Sequence, residues 1–448
     1  MPTKNIKLPP HDIDAEVSAL GALMIDPLSI IRVTDILSPS DFYHPAHQAI
    51  FEAILTLFER GEPVDVLTVS MFLKKEKKMK DSGGADYLAE LVSNVPSAAH
   101  VEHYAKIVKE LSVRRAIIHA SSEINEEAFK SDEFDSFLDS VEQKIFNISQ
   151  KSRTQHFIPI RDELTDAYER LEKLHRGDGM LRGVPSYFHQ LDNILSGFQN
   201  SDLIILGARP SFGKTALALD IARNISLHGK SVGVFSIEMS REQIIDRLIA
   251  NQAKIPLWRL RTGRLQGEME FALVQQALDE LSKTSLFIDD TPSPSVLQMR
   301  SAARRLQLEH GLDFLVIDYL QLIQPRTGGY DNMVQQVTEI SRGLKALARE
   351  LNIPVLALSQ LSREVDKRDV KIPRLSDLRE SGSLEQDADV VMFIYRKDRD
   401  RIDVPDEEQN IVDLIVAKHR NGPLGNVRLR FDPEKVSFHT IDTVHTEQ

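Results

Sequence analysis

The first part of the chain carries apolar side chains at helical spacing. Apolar residues recur every three or four positions, as at Ile50, Ile54 and Phe58. Such spacing places these side chains on one face of an α-helix. Glycine is sparse and β-branched runs are short over the same stretch. The pattern predicts an all-α N-terminal domain over residues 1–150, built from roughly six or seven helices.

Residues 151–183 differ from this first domain. Helical spacing covers only residues 160–176, where Leu164 and Tyr168 share one face, and glycines follow. A single amphipathic helix must cover its apolar stripe by packing against something. The sequence leaves open whether that surface belongs to the same domain or to a neighbouring subunit. We interpret residues 151–183 as a linker with a docking helix.

The pattern changes again over residues 184–448. Short apolar runs rich in β-branched residues alternate with helical segments, and four of these runs are LIILGA, VGVFSIE, FLVIDYL and PVLALSQ. Apolar strands that alternate with helices predict an α/β domain whose mostly parallel sheet is covered on both faces. Strands dominate from Val390 onward, and Asn421-Gly422 predicts a tight turn between two of them. Ser240 and Gln243 predict a capping box after VGVFSIE.

Composition limits the protein classes that fit the chain. Its 448 residues are 42% apolar and 27% charged, which excludes a disordered or fibrous protein. It has no cysteine, so disulfides, thiolate nucleophiles and cysteine-bound metals are excluded. The apolar runs are too short to span a bilayer and no signal peptide is visible, so we expect a cytoplasmic protein without membrane segments. A net charge of −12 argues against broad coating of duplex DNA, but a small basic surface remains compatible with it.

The strongest chemical signal is GARPSFGKT, residues 207–215, between a predicted strand and a predicted helix. A loop in this place directs backbone N–H groups and a helix N-terminus towards phosphates. Lys214 would reach the β- and γ-phosphates, and the Thr215 hydroxyl would bind Mg²⁺. In the strict spacing of such a phosphate loop, the first glycine would fall at position 208. This chain has Ala208 there and a glycine one residue earlier, Gly207. The predicted nucleotide-binding residues are Ala208, Arg209, Pro210, Ser211, Phe212, Gly213, Lys214, Thr215 and Ala216.

Polar side chains follow three of the predicted strands. Asp318 ends FLVIDY, where open α/β sheets bind ligands, and is the expected second Mg²⁺ contact. Glu238 ends VGVFSIE and could orient and deprotonate a water molecule. Gln360 ends PVLALSQ and could sense the γ-phosphate. One strand-end acid could equally cap a helix or pair with a cation, but two after a phosphate loop favour an ATPase that uses ATP and Mg²⁺. Arg247 could stack on adenine or be a surface charge.

At this point the sequence resembles the DnaB-type replicative DNA helicases, hexameric motors of the RecA-like class. The resemblance covers essentially the whole chain and is carried by PPHDIDAEVSALGALMID, GARPSFGKT, FSIEMS, FLVIDYLQLI, LALSQLSREV, LSDLRESGSLEQDAD and KHRNGP. It implies a helical collar domain joined by a linker helix to a RecA-like P-loop ATPase domain. It also implies a homohexameric ring that translocates on single-stranded DNA and unwinds the replication fork. Primase and a helicase loader are the partners that the resemblance implies.

The same resemblance assigns roles to two further groups of residues. Lys418 and Arg420 match the finger residues that reach the γ-phosphate held by an adjacent subunit, although a lone Lys-x-Arg pair is usually exposed strand-end charge. Arg379, Glu380 and Gly382 match the loop that grips the DNA backbone. Residues 361–379 carry six basic and four acidic side chains, a local reversal of the overall charge.

Two other functions remain open at this stage. The chain could be a RecA-like ATPase that acts on DNA without unwinding it, as a recombinase or loader does. It could also be a nucleotide-binding scaffold without hydrolysis, although Lys214, Glu238 and Asp318 together argue against this. Hydrolysis assays with and without single-stranded DNA, followed by forked-duplex unwinding, would separate the three.

Overall fold

A computed structural model of the chain describes most of its residues. These are residues 8–95, 97–130, 181–325, 333–368, 370–378, 382–399 and 408–441, with isolated positions between 137 and 172 and residue 405. The chain divides into two compact units, Met1–Thr165 and Asp166–Gln448. The predicted docking helix at 160–176 falls mainly outside the described residues.

The first unit is helical, as predicted. Between residues 8 and 130 the α-helices are α1 Ile13–Ile25, α2 Ile30–Val33, α3 Pro45–Glu59, α4 Val66–Lys75, α5 Gly84–Ser93 and α6 Val101–Ala128. Ile50 and Ile54 are fully buried in its core with Leu20 and Leu23 of α1. The apolar stripe of α3 therefore faces the interior, which is what its spacing predicts.

The described part of the second unit contains a nine-stranded sheet. Its strands are β1 Leu203–Ala208, β2 Val232–Ser236, β3 Leu286–Asp289, β4 Phe314–Asp318, β5 Val355–Gln360, β6 Val390–Tyr395, β7 Ile411–His419, β8 Gly425–Asp432 and β9 Ser437–Thr440. Their order is β3-β2-β4-β5-β1-β6-β7-β8-β9. The first six in this order run parallel, whereas β7, β8 and β9 continue as an antiparallel meander. A mostly parallel sheet is thus confirmed.

Helices cover both faces of this sheet. They are α7 His189–Leu195, α8 Lys214–Leu227, α9 Arg241–Ala253, α10 Leu257–Thr262, α11 Gly267–Ser282, α12 Val296–His310, α13 Met333–Leu351 and α14 Gly382–Asp387. One hydrophobic cluster contains Leu217 and Ile221 of α8, and the other contains Met299 of α12 and Leu344 of α13. Because both faces are buried, the parallel strands read as continuous apolar runs.

Two local features differ from the sequence prediction. Strand β3, which was not predicted, lies at the edge of the sheet, and its four residues are only partly buried, although Leu286, Phe287 and Ile288 form a short apolar run. Asn421 and Gly422 lie in the turn between β7 and β8, as predicted, but the connection has five residues and neither of the two has a positive φ. Gly422 makes room for the ring of His419, since a Cβ there would lie 2.2 Å from that ring.

The predicted capping box at the start of α9 is also wrong. The Ser240 side chain accepts no capping hydrogen bond within the described residues. The Asp290 carboxylate replaces it, accepting the backbone N–H of Arg241 at 3.0 Å and a hydrogen bond from its guanidinium at 2.8 Å. A tertiary contact thus supplies the acceptor that the local sequence was expected to provide. Among the described residues, no helix is both long and apolar enough to cross a membrane.

A buried carboxylate joins α8 to its neighbours. Asp220, only 1% exposed, accepts the backbone N–H of Phe438 at 2.7 Å and a hydrogen bond from the amide of Asn251. Arg223 lies 3.7 Å away. Burial raises the pKa of Asp220 to about 7 despite these partners. Strand β9 and helix α9 are therefore both held to the helix that follows GARPSFGKT.

Asp220→Asn should alter the pH dependence of stability. A carboxyl whose native pKa exceeds its unfolded value binds more protons in the folded state, so its contribution to stability falls as pH rises towards about 7. Relative to the Asp220→Asn variant, the natural chain should lose stability between about pH 4 and pH 7 and then level off. Urea unfolding of the full chain at several pH values measures this. The exposed Asp279→Asn is the control, and a pH-independent difference between the natural chain and Asp220→Asn would contradict the prediction.

Candidate nucleotide site

The loop between β1 and α8 has a backbone shaped by two residues in the left-handed region. Ser211 has φ +68° and Gly213 has φ +93°. A Cβ at Gly213 would lie 2.7 Å from the ring of Phe438, so only glycine fits. The loop then enters α8 at Lys214. This arrangement directs the first N–H groups of α8 towards the loop, where an anion binds favourably.

One loop side chain holds the loop in place. Arg209 donates to both carboxylate oxygens of Asp366, at 2.5 and 3.1 Å, and to the carbonyl of Leu361 at 2.8 Å. A bidentate pair of this kind fixes the plane of the guanidinium. Arg209 was predicted to contact nucleotide. In this structure its side chain joins the loop to the segment that follows β5.

Lys214, Thr215 and Asp318 meet at the carboxyl end of the sheet. The Thr215 hydroxyl donates to Asp318 Oδ2 at 2.6 Å, and Lys214 Nζ lies 3.3 Å from Asp318 Oδ1. Lys214 Nζ also lies 3.9 Å from the centroid of the Tyr319 ring. Asp318 is 3% exposed, and its Oδ1 accepts no hydrogen bond from the described residues. The ion pair with Lys214 is thus the contact that this oxygen makes. A buried carboxylate beside a hydroxyl oxygen is a pair of oxygen ligands that suits a hard cation such as Mg²⁺.

Glu238 and Gln360 lie at the same carboxyl end of the sheet. The backbone N–H of Ile237 donates to the Asp318 carbonyl at 2.8 Å, which brings the segment after β2 beside β4. Glu238 Oε2 is 3.9 Å from Lys214 Nζ, and its side chain is 52% exposed. Gln360 is in register with Ala208 on the adjacent strand. The structure therefore brings these predicted residues together around one loop.

Arg247 is a site residue that the sequence did not settle. It follows the buried Ile244 by three positions on α9 and precedes the buried Leu248, so it lies on the inward face. Burial lowers the pKa of its guanidinium, and the charges of Asp318 and Glu238 oppose this effect. Its buried Nε has no partner among the described residues. The apolar residues Ile244 and Leu248 on the same face of α9 are the sequence signal that would identify Arg247 as facing inward.

Lys418 and Arg420 do not join this cluster within one chain. Lys418 pairs with Val391 of β6, which pairs with Ile205 of β1. The backbone N–H of Arg420 bonds to the carbonyl of Asp389, whose own N–H bonds to the carbonyl of Leu203. Arg420 is thus level with the start of β1, about 17 Å along the strand from Ala208 at ~3.3 Å per residue.

The predicted DNA-binding residues are only partly described. Arg379 and Glu380 lie outside the described residues. Gly382 is the first residue of α14, is exposed and does not have a positive φ. Ser341 and Thr338 of α13 hold this helix through hydrogen bonds to Asp387 at 2.8 Å and to Ser383 at 3.0 Å.

The parallel sheet and the loop before α8, with a threonine bonded to a strand-end aspartate, define a P-loop ATPase of the RecA-like class. The family models "DnaB-like helicase C terminal domain" and "DnaB-like helicase N terminal domain" match residues 183–440 and 8–110. The chain therefore belongs to the DnaB-like replicative DNA helicases, enzymes that use ATP to unwind DNA. This result favours the helicase interpretation over the non-unwinding ATPase and the scaffold.

Relatives support the same assignment over the whole length. The chain is 46% identical over 438 residues to the replicative DNA helicase DnaB of Geobacillus stearothermophilus, covering 97% of this chain and 96% of that protein. It is 44% identical over 440 residues to the replicative DNA helicase DnaC of Bacillus subtilis (strain 168), covering 98% and 96%. A solved DnaB-like replicative helicase, studied with its primase interactions, superposes with a TM-score of 0.78 at 33% identity, covering 96% of this chain and all of that one. A second solved structure, of an ATPase domain, superposes with a TM-score of 0.60 at 40% identity, covering 64% of this chain and all of that one.

Gly213→Ala should weaken nucleotide binding at least tenfold. The added Cβ would clash with Phe438 and would strain a residue at φ +93°, so the loop must move. Titration with a fluorescent ATP analogue measures the affinity. Gly229→Ala is the matched control, because Gly229 has φ +79° but no described atom lies within 4 Å of its added Cβ. Equal affinities for both variants would contradict the role of this backbone shape.

Proposed function

We propose that the chain works as a homohexameric ring that hydrolyses ATP between adjacent protomers while it moves along single-stranded DNA. One observation carries this proposal: the phosphate loop lies at the carboxyl end of the parallel strands, whereas Lys418 and Arg420, the proposed finger residues, lie towards the opposite end of the same sheet. Arg420 lies about 17 Å along the strands from Ala208, so it cannot serve its own loop. In a head-to-tail ring, each protomer would offer its cations to the loop of the next.

Each protomer supplies one half of the composite site. Residues 208–216 surround the phosphates with backbone N–H groups, except at Pro210, which has none, and Lys214 pairs with the phosphate oxygens. Thr215 and Asp318 hold Mg²⁺, which when bound neutralises phosphate charge. Glu238 is the general base: its exposed carboxylate can take a proton from a water molecule, while Lys214 stays within 4 Å of it.

Gln360 is proposed to relay the state of the nucleotide. It lies beside Ala208 in the sheet, and the segment that follows it is bonded to the loop through Arg209 and Asp366. Movement of the phosphate loop would thus act directly on residues 361–368. This segment leads towards the residues proposed to bind DNA.

The neighbouring protomer supplies the other half of the site through Lys418 and Arg420. A guanidinium contributed across an interface stabilises the charge that develops on the transferred phosphoryl group. Because the pocket is complete only after assembly, hydrolysis depends on the ring.

DNA is proposed to contact Arg379, Glu380 and Gly382, where the basic stretch 361–379 leads into the start of α14. Phosphate contacts carry little sequence information, so a backbone grip allows movement along any sequence. Primase and a helicase loader are proposed partners. The primase proposal is supported by the solved relative whose primase interactions were studied. A cytoplasmic location stays a prediction.

A mixed-subunit experiment tests the composite site. Lys214→Ala removes a loop lysine but leaves the finger, whereas Arg420→Ala does the reverse. Each variant alone should lose about 10³-fold or more of its DNA-stimulated hydrolysis. Rings containing both variants, coexpressed with different tags, should recover up to about a quarter of the natural activity, because that share of interfaces unites an intact loop with an intact finger.

Arg428→Ala is the control for this experiment. Arg428 lies on β8 of the same meander, and its side chain is 68% exposed. This variant should hydrolyse ATP normally. If the mixed rings stay inactive while each variant still assembles, the two halves of the site belong to one chain and the proposal fails.

Arg379→Ala should weaken binding to single-stranded DNA uniformly across sequences, by about tenfold, because an arginine–phosphate pair is lost. The salt dependence of binding should become shallower by about one unit of slope, which fluorescence anisotropy at several salt concentrations measures. Hydrolysis without DNA should not change. Loss of DNA-free hydrolysis, or a change in sequence preference, would argue against a backbone contact.

A further inference from the structure

A buried carboxylate lies directly behind Arg420. Asp389, which is 3% exposed, immediately precedes β6. Its Oδ1 is 3.2 Å from Arg420 Nη1, while its Oδ2 accepts the backbone N–H of Leu203 at 2.9 Å and a hydrogen bond from Lys345. Asp389 is therefore held by groups from β1, from α13 and from the residue after β7.

The main chain of Asp389 repeats these links. Its N–H donates to the Leu203 carbonyl at 2.9 Å, and its carbonyl accepts the N–H of Arg420 at 2.8 Å. Backbone and side chain thus fix the same two neighbours. These contacts fix the position of the Asp389 carboxylate, so that its Oδ1 faces the guanidinium of Arg420.

Arg420 has a second contact at the end of α14. Its Nη2 donates to the Gln386 carbonyl at 3.1 Å, and Lys418 Nζ donates to the Glu385 and Ala388 carbonyls at 2.5 and 2.6 Å. Contacts through two different nitrogens fix the plane of the Arg420 guanidinium. The side chain remains 51% exposed, so its outer face is accessible to a neighbouring protomer.

We propose that Asp389 is a positioning residue that sets the direction of Arg420 towards the nucleotide of the adjacent protomer. The proposal rests on the proposed role of Arg420 as a finger. Without these contacts, a half-exposed arginine would sample many rotamers. Ordering its side chain for each hydrolysis step would cost conformational entropy and raise the barrier to reaction. Asp389 instead fixes the orientation of the Arg420 guanidinium before it meets the nucleotide of the adjacent protomer. A charge that is already oriented stabilises a transition state without further reorganisation.

Asp389→Asn tests this proposal. The amide keeps the size of the side chain and an oxygen that can accept the Leu203 N–H, but it removes the charge that attracts Arg420. In assembled rings kcat should fall ~10–100-fold, whereas KM and the affinity for a fluorescent ATP analogue should stay unchanged, because the variant's own loop is intact. Mixed rings with Lys214→Ala should regain activity, as expected for a defect confined to the finger side.

A double variant separates positioning from general stability. If Asp389 acts through Arg420, Asp389→Asn with Arg420→Ala should be no slower than Arg420→Ala alone. Multiplicative losses in the double variant would overturn the inference. Natural kcat in Asp389→Asn, with Arg420→Ala inactive, would overturn it while leaving the proposed function intact. An active Arg420→Ala would instead overturn the proposed function, and this inference with it.

Asp313→Asn is the matched control. The Asp313 carboxylate also bonds a backbone N–H at a strand entrance, that of Ser231 at 2.9 Å, and a lysine, Lys230 at 2.9 Å. It differs from Asp389 in having no contact with Arg420 and in being less buried, with its side chain 35% exposed. It should therefore keep its kcat, and an equal loss of kcat in both variants would show that Asp389 has only a structural role.

Discussion

Six parallel strands give the sheet two unlike ends, one formed by the carboxyl ends of the strands and the other by their amino ends. The placement of the proposed site residues follows from this common strand direction. The carboxyl ends of β1, β2, β4 and β5 gather the phosphate loop, Glu238, Asp318 and Gln360 at one end. The antiparallel return of β7 brings Lys418 and Arg420 towards the other end. A β-strand is stiff over this length, so the two groups cannot approach each other within one chain. In the proposed ring, head-to-tail assembly would unite them.

Much of this organisation could be predicted from the sequence. Continuous apolar runs such as LIILGA identify strands buried on both faces, and residues that end such strands lie together at one end of the sheet. The meeting of Lys214, Thr215 and Asp318 therefore follows from element order alone. The helical first unit was equally accessible, because Ile50 and Ile54 keep the spacing of a buried helix face.

Prediction fell short at three features, and the physical reason differs between them. Ser240 has the right spacing for a capping box, but Asp290 arrives from after β3 and takes the N–H of Arg241. Asn421-Gly422 has the sequence of a tight turn, yet Gly422 is needed to accommodate His419. Strand β3 has only four residues, and an apolar run as short as Leu286 to Ile288 does not by itself distinguish a strand from a helix segment. In the first of these cases the deciding neighbour is distant in sequence.

The segment between β5 and β6 lies between the two chemical groups. At its start, the carbonyl of Leu361 and the carboxylate of Asp366 are bonded to Arg209 of the phosphate loop. At its end, the last turn of α14 and Asp389 hold Lys418 and Arg420. In the proposed ring, a change at a protomer's own nucleotide would act on the first attachment, and a change at its neighbour's nucleotide would act on the second. Because physical coupling requires contiguous contacts, the stretch that carries the proposed DNA-binding residues is where both signals meet.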